Sequence, residues 1–232
     1  MNFKNLLNLE EKKHFWLKGK QKLIETILEE FSPENLLDIG CGTGTILEHL
    51  KSKIPSITAI DILPESIEYC KKSMFLLNLL QADAMNIPLK DKSFDVVLIL
   101  DIIEHLPYDT TAISEVFRVL KTGGRIILTV PAFKKLFSYR DRTAGHIRRY
   151  NKNELIDMLK NSGFLIKHIN YYNFFLFPLF ILSRIFYLDE RNPGKITNFL
   201  FTLIILFEVK LSSFLSFPYG STLFVIGEKP YV

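Results

Sequence analysis

A glycine-rich segment between two apolar runs constrains the fold of this chain most. Residues 36–44 read LLDIGCGTG, and a second apolar run, ITAI, ends at Asp61. Glycine has no Cβ atom, so a ligand can lie against the backbone of such a turn, and the helix that follows offers free N–H groups. Asp61 lies about 20 residues after Gly40, where an acid binds ribose hydroxyls in doubly wound α/β folds. The segment therefore predicts a nucleoside site.

Strand-like and helix-like segments alternate along most of the chain. Apolar or alternating runs predict strands at 35–39, 57–61, 76–80, 94–100, 125–130, 164–172 and 222–228. Helical spacing predicts helices at 5–31, 43–52, 64–73, 110–120 and 151–161, with a helix stop at 121–124. This alternation is typical of a doubly wound, mostly parallel sheet with right-handed crossovers. We therefore predict a single α/β domain over residues 1–232.

Two helical additions accompany this pattern. Residues 1–31 are predicted to form an N-terminal helical cap, and residues 174–218 form an apolar insert, rich in Phe, before the last strand. Pro178, Arg184 and Glu208 interrupt the insert, so it does not read as a membrane span. Three interpretations remain: a lid over a lipophilic acceptor, a homodimer face, or a helical element in the membrane surface.

Composition excludes several classes of protein. Apolar residues make up 48% of 232 residues, which favours a full core over disorder. Cys41 and Cys70, the two cysteines, give neither a disulfide framework nor metal-ligand spacing, and no metal is expected. A net charge of +4 does not predict a nucleic-acid partner. The N-terminus does not read as a signal peptide, so we expect the cytoplasm, with a position at the inner face of the membrane as the alternative.

Five motifs in order give the chain a family resemblance. They are DIGCGTG (38–44), AIDILPESI (59–67), QADAMNIP (81–88), FDVVLILDIIEHL (94–106) and FRVLKTGGRIILTVP (117–131). With them the chain resembles class I S-adenosylmethionine-dependent methyltransferases of the small-molecule, ubiquinone- and sugar-type group, over about residues 10–173 and 221–229. The resemblance implies a Rossmann-like sheet of seven strands, the last antiparallel to its neighbours, and S-adenosyl-L-methionine as cofactor.

The resemblance also assigns cofactor-binding residues. Asp61 would accept the ribose hydroxyls, Ile62 would cover one adenine face, and Asp83 would take the adenine amino group. The cofactor-binding residues implied in this way are Asp38, Gly40, Cys41, Gly42, Gly44, Asp61, Ile62, Asp83, Ala84 and Leu100. Two structural interpretations remain open as alternatives to cofactor binding: Asp38 as a helix cap and Asp83 as a turn residue.

Methyl transfer requires alignment of acceptor, methyl and sulfur, and a neutral hydroxyl must also lose a proton. Asp101 and His105 follow the fourth strand, and His146 lies in a loop after the fifth. These three residues are the catalytic candidates, with packing or contact with the methionine end of the cofactor as the alternative for His105 and a structural role as the alternative for His146.

The acceptor side is marked by a basic stretch. Residues 134–152 hold seven Lys or Arg against one acid, which suits a phosphate or carboxylate, although a solvated loop would look the same. Residues 11–20 and 145–150 resemble a subgroup associated with glycan and lipid modification. The predicted substrate-binding residues are Trp16, Arg142, Arg148, Arg149 and Tyr150.

The expected activity is methyl transfer to an oxygen of a small or lipid-linked acceptor, such as a glycan-lipid or isoprenoid precursor, with an anionic group as an option. One alternative is an NAD-dependent oxidoreductase, because a glycine turn and a ribose-binding acid serve both ligands. The other is a non-catalytic, cofactor-binding subunit of a membrane assembly.

Overall fold

The computed structural model describes residues 7, 14–73, 78–185, 194–212 and 214–231. The helices of this part are α1 (Phe15–Glu29), α2 (Thr45–Leu50), α3 (Pro64–Ser73), α4 (Asp109–Val119), α5 (Tyr139–Thr143), α6 (Lys152–Asn161), α7 (Phe177–Ile185) and α8 (Lys195–Ser212). The strands are β1 (Asn35–Ile39), β2 (Ser56–Asp61), β3 (Asn78–Gln81), β4 (Phe94–Leu100), β5 (Leu120–Pro131), β6 (Leu165–Tyr172) and β7 (Thr222–Glu228).

The seven described strands form one sheet in the order β3-β2-β1-β4-β5-β7-β6. β7 runs antiparallel to both of its neighbours, and the pairs from β3 to β5 are parallel. The predicted α/β fold class is therefore confirmed. The strand order reverses between β1 and β4, and ligands bind at the carboxyl ends of the strands at such a switch point.

Both faces of the sheet are covered. Along β4, Val97 and Ile99 belong to one buried cluster, whereas Val96 and Leu98 belong to the cluster on the opposite face. A strand buried on both sides needs apolar residues at every position, which explains the unbroken apolar run of β4.

The structure corrects the predicted boundary between α4 and β5. The helix ends at Val119, next to its predicted end at 120, whereas the predicted start of the strand at 125 is wrong, because β5 begins at Leu120, which pairs with Phe94. A register shift between Phe94 and Val96 accommodates the extra residues of β5. The starts of the first helix and of the third strand, predicted at 5 and 76, lie outside the described residues, as does the middle of the insert.

The N-terminal helix and the insert pack on each other. The Phe15 and Phe201 rings lie 5.2 Å apart, edge to face, and the Phe15 N–H donates to Asn198 Oδ1 at 2.9 Å. Gly19 allows this contact, because a Cβ atom there would lie 2.0 Å from Ile205 Cγ2. Among the described helices, none combines the length and apolarity that a membrane crossing requires.

Candidate functional site

The glycine turn after β1 is built from backbone that favours glycine. Gly40, Gly42 and Gly44 have φ values of +78°, +54° and +74°. The Gly40 N–H donates to the Ile60 carbonyl at 2.8 Å, which holds the turn against the end of β2. A Cβ atom on Gly40 would lie 2.1 Å from Ile102 Cδ1. The turn is therefore closely packed from below and leaves its upper side to a ligand.

Asp61 ends β2 beside this turn. Its carboxylate accepts the Gly42 N–H at 2.8 Å and the Leu63 N–H at 2.9 Å. A carboxylate offers about four acceptor positions, so two are left for a ligand. Asp61 can thus hold the turn and accept ribose hydroxyls at the same time.

Asp38, at the end of β1, is buried next to Asp61. Burial raises the pKa of Asp38 to about 7, and the negative charge of Asp61 adds to the rise. A cationic group placed beside Asp38 would lower its pKa again. The pair of acids therefore favours a ligand that carries positive charge.

A cavity of about 840 Å³ opens over the carboxyl ends of β1, β2 and β4, within the usual size of small-molecule sites. Its lining includes the predicted residues Trp16, Asp38, Gly40, Cys41, Gly42, Asp61, Ile62, Asp83, Ala84, Leu100, Asp101, His105, His146 and Arg149. Gly44, the N-cap residue of α2, does not line it. Asp83 lines it and also accepts the Met85 N–H at 2.8 Å, so the cofactor and turn interpretations are compatible.

Asp101 lies at the end of β4 in a strained conformation, with φ at +54°. Its carboxylate forms an ion pair with Lys20 of α1 and accepts the Thr129 hydroxyl at 3.0 Å. Burial alone would raise the pKa of Asp101, but Lys20 and Thr129 hold it below its usual value. A carboxylate that is paired in this way is a weak base.

Glu104, His105 and His146 converge beside Asp101. His146 Nε2 lies 3.9 Å from Glu104 Oε1, and the two imidazole rings are 4.7 Å apart, edge to face. Burial, followed by the charge of Asp101, raises the pKa of Glu104 well above its usual value. Burial also lowers the pKa of His105 to about 4, so this imidazole is neutral at pH 7.

Comparisons with known proteins agree with this geometry. A family model described as a methyltransferase domain matches residues 37–128. A ubiquinone biosynthesis O-methyltransferase of Rickettsia canadensis is 30% identical over 167 residues, which are 63% of this chain and 70% of the relative.

The chain belongs to the S-adenosylmethionine-dependent methyltransferases.

Further matches agree with this assignment. A Mycobacterium tuberculosis protein named as a probable S-adenosylmethionine-dependent methyltransferase is 24% identical over 187 residues, 80% of this chain and 66% of its own length. The chain therefore spans about two thirds of that relative. The N-methyltransferase NodS of Bradyrhizobium japonicum, solved with S-adenosyl-L-homocysteine, has the same fold: its TM-score is 0.60 at 15% identity, over 90% of this chain and 84% of NodS.

The cofactor of the methyltransferase is S-adenosylmethionine, and the predicted family and enzyme class are confirmed. The alternative of an NAD-dependent oxidoreductase finds no support in these matches. The glycine turn, Asp61 and the acidic Asp38 fit a cationic adenosine derivative, which is the form that this cofactor takes.

Asp141, in the short helix α5, neutralises much of the basic stretch. It accepts Arg149 Nη2 at 2.6 Å and Arg184 Nη1 at 2.9 Å, and it lies 3.4 Å from His146 Nδ1. Burial would raise the pKa of Asp141, but His146 and the two arginines hold it far below its usual value. Arg149 therefore lines the cavity with its charge already paired.

Three of the predicted substrate residues, Arg142, Arg148 and Tyr150, do not line the cavity. Arg148 Nη1 donates to Asp109 Oδ2 at 2.8 Å, and the buried Tyr150 hydroxyl donates to the same oxygen at 2.7 Å. The Arg142 guanidinium is exposed and lies 5.7 Å from the centre of the Phe137 ring. Trp16 does line the cavity, 3.6 Å below the Lys20 ammonium.

Three residues of the site were not predicted from the sequence. Lys20 and Thr129 contact Asp101 from distant parts of the chain, and no local pattern marks them. Glu104 could have been found from the sequence, because it lies within the largely apolar run LILDIIEHL, where a carboxylate is expected to be buried together with its apolar neighbours. The sequence also showed no metal-ligand spacing, yet folding brings ligand atoms of Glu104, His105 and His146 within 4.8 Å of one another.

Proposed function

We propose that the methyltransferase transfers a methyl group to a hydroxyl oxygen of an acceptor that is largely apolar. The cluster of Glu104, His105 and His146 carries this proposal, because it places proton-handling side chains at one end of a cavity with apolar walls. S-adenosylmethionine supplies a methyl group on a positively charged sulfur.

In this proposal the cofactor lies on the glycine turn. Asp61 accepts the ribose hydroxyls with its two remaining acceptor positions, and Ile62, which is 60% exposed, covers one face of the adenine. Asp83 takes the adenine amino group. Asp38 compensates the positive charge of the methionyl ammonium. Leu100, at the end of β4, lies toward the sulfur.

Helices α7 and α8 form the acceptor side. Leu176, Leu179 and Phe180 line the cavity from the start and body of α7, and Phe201 lines it from α8. These side chains favour a lipophilic tail, such as that of an isoprenoid or another lipid-linked molecule. The Rickettsia relative, named for O-methylation in ubiquinone biosynthesis, agrees with an oxygen acceptor of this kind.

The geometry does not favour an anionic acceptor. Arg149 is paired with Asp141 and donates to the Ala132 carbonyl at 2.9 Å, and Arg148 is paired with Asp109. A phosphate or carboxylate would have to replace these buried partners. The proposed acceptor therefore carries no anionic group.

The acceptor hydroxyl must lose its proton as its oxygen takes the methyl group, and the bonding pair of the C–S bond stays on sulfur to give S-adenosylhomocysteine. The Glu104 cluster is the group of side chains placed to promote that proton loss. Lys20 and Asp101, paired beside it, orient this end of the cavity. General acid–base assistance of this kind contributes about 10²–10⁴-fold to a rate.

The exposed side of α8 is also apolar. Ile196, Phe199, Leu203 and Phe207 are all solvent-exposed along one stretch of this helix. We place a peripheral membrane contact here, which would bring the cavity close to lipid-borne acceptors. Flotation with anionic liposomes tests it: Phe199→Ser with Phe207→Ser should release the protein, whereas a concentration-dependent dimer without flotation would favour a dimer face.

The methyl-transfer proposal is tested with cofactor carrying a ¹³C-labelled methyl group. The acceptor probe is a hydroquinone with a short isoprenoid tail, and the control is the same molecule with both hydroxyls already methylated. The proposal expects an O–¹³CH₃ signal by NMR from the first and none from the second. Label on carbon or nitrogen would contradict it, and cofactor binding without transfer would favour the non-catalytic subunit.

A further inference from the structure

We propose that Glu104, His105 and His146 bind one divalent transition-metal ion, of which Zn²⁺ suits the ligand set best. The site lies at the acceptor end of the cavity, so its role in catalysis rests on the proposed function. Two imidazoles and one carboxylate are a ligand set that zinc enzymes use, with a further position open to water or substrate.

The ligand atoms are close enough for a single ion. One ligand atom from each residue lies within 4.8 Å of the others, and His146 Nε2 is 3.9 Å from Glu104 Oε1. Ligands that bond Zn²⁺ at about 2.0–2.2 Å lie at most about 4.4 Å apart. The site would close if side-chain rotations moved the ligand atoms by about a few tenths of an ångström, which is the size of ordinary thermal motion.

Each histidine has an oxygen atom behind its ring. His105 Nδ1 lies 2.9 Å from the Gly145 carbonyl, which directs the ring lone pair onto Nε2. His146 Nδ1 lies 3.4 Å from Asp141 Oδ1 without a hydrogen bond in the described structure, and its Nε2 lies on the side of Glu104. In proteins, a carbonyl or carboxylate behind the imidazole orients histidines that bind metals.

Glu104 is the independent observation that points to a cation. The residue is fully buried, and within the described structure neither carboxylate oxygen has a hydrogen-bond partner. A buried carboxylate without a partner is costly, so such a group normally binds a cation or a donor. The Ile147 N–H donates to the Glu104 carbonyl at 2.9 Å, which fixes the two ligand segments to each other.

All three proposed ligands line the cavity, so a further coordination position would be accessible from it. Asp101 is held by Lys20 and Thr129, so it is not needed as a ligand. An acceptor hydroxyl bound there would become more acidic, as hydroxyls on Zn²⁺ do. It would release its proton to water, its oxygen would take the methyl group, and sulfur would keep the electron pair of the broken bond.

The test measures metal content directly. Protein freed of metal by chelator dialysis is loaded with Zn²⁺ and analysed by elemental mass spectrometry, with Co²⁺ absorbance as a second readout. We expect one ion per chain in the wild type and in His49→Gln, a control on the exposed side of α2. Glu104→Gln and His146→Gln should each bind Zn²⁺ about 100-fold more weakly.

Calorimetry with S-adenosylhomocysteine on the same samples separates the two proposals. Intact cofactor binding with no Zn²⁺ in the wild type, or with equal Zn²⁺ in all variants, would overturn the metal site and leave the proposed cofactor site standing. Zn²⁺ binding without cofactor binding would contradict the proposed function alone. Thermal melting identifies any variant that fails to fold, and the other ligand variant then decides.

Discussion

Single buried acids of this methyltransferase differ in what compensates their charge. Asp61 accepts two backbone N–H groups, and Asp141 is paired with Arg149 and Arg184. Asp38 and Glu104 instead have raised pKa values, chiefly because they are buried. Acids whose pKa is raised by burial in a cavity are typical of ligand sites.

Asp38 makes cofactor affinity depend on pH. Its pKa is about 7 in the free protein, and a cationic ligand group binds the ionised form better. We expect the affinity for S-adenosylhomocysteine to rise from about pH 6 to about pH 8 and then level off, with proton release on binding. Calorimetry in two buffers of different ionisation enthalpy measures this, and Asp38→Asn should abolish it.

The same shift sets the direction of a stability effect. Because the pKa of Asp38 is above its ordinary value of 3.8, the folded protein keeps this proton to higher pH than the unfolded chain does. The contribution of Asp38 to stability therefore falls as pH rises from about 4 to about 7 and is constant above. Asp38→Asn should melt at a higher temperature than the wild type at pH 8; a lower melting temperature would contradict the assignment.

The positions of some of the predicted site residues could be inferred from the sequence, and those of others could not. Asp38 and Asp61 could be predicted because each follows a parallel strand, and the fold brings those strand ends together. Arg148 and Tyr150 were predicted as substrate residues from the basic stretch and from the resemblance of residues 145–150 to a subgroup associated with glycan and lipid modification. The sequence does not show that both side chains donate hydrogen bonds to Asp109, which lies about 40 residues away.

At the scale of elements, the glycine turn connects sheet and ligand. Gly40→Ala would combine a φ of +78° with a Cβ atom 2.1 Å from Ile102 Cδ1. We expect a loss of about 1–3 kcal/mol in the free energy of unfolding, measured with urea. Gly194→Ala is the matched control, because nothing lies within 4 Å of its added Cβ atom. Equal stability of the two variants would show that the turn tolerates a side chain.

The contact between α1 and α8 depends on Gly19. A Cβ atom there would lie 2.0 Å from both Ile205 Cγ2 and the Tyr172 hydroxyl. Alanine favours a helix over glycine by about 1 kcal/mol, but overpacking costs about 1–3 kcal/mol. We expect Gly19→Ala to lower the melting temperature, whereas Lys18→Ala, at the exposed neighbouring position, should not. A more stable Gly19→Ala protein would mean that α8 moves away at little cost.

The elements themselves were largely predictable, and their contacts were not. Hydrophobic period and glycine stops indicated the strands and helices of the sheet. Helices α1 and α8 are in contact although the residues concerned lie about 180 positions apart in the chain, and only the folded structure shows this contact. For the same reason the ion pair of Lys20 with Asp101 could not be predicted.

On the scale of the whole molecule, the cavity has two halves. In the proposed function, the carboxyl ends of the strands supply the cofactor half, and α7, α8 and the loop around His146 supply the acceptor half. The first half follows from a topology that many α/β proteins share, whereas the second depends on segments outside the sheet, whose ligand the fold does not determine. This division explains why the sequence predicted the cofactor and left several acceptors open.

A charged side chain introduced at the opening of the cavity should affect the binding of the acceptor alone. Leu182 is 45% exposed and lines the cavity, whereas Leu165 of β6 is 51% exposed and does not. Leu182→Glu should raise KM for an isoprenoid-tailed acceptor about tenfold, since several CH₂ contacts at about 0.8 kcal/mol each are lost. Leu165→Glu should leave it unchanged. Equal effects on a tail-less analogue would contradict an apolar acceptor channel.

Calorimetric titration of wild-type protein and Asp61→Ala with S-adenosylhomocysteine and with NAD tests the cofactor site of this methyltransferase. We expect one S-adenosylhomocysteine site per chain, no heat with NAD, and a loss of about 1–3 kcal/mol in binding free energy in Asp61→Ala but not in Glu68→Ala, an exposed acid of α3. Unchanged affinity in Asp61→Ala, or binding of NAD in the same cavity, would show that the cofactor site is wrongly assigned.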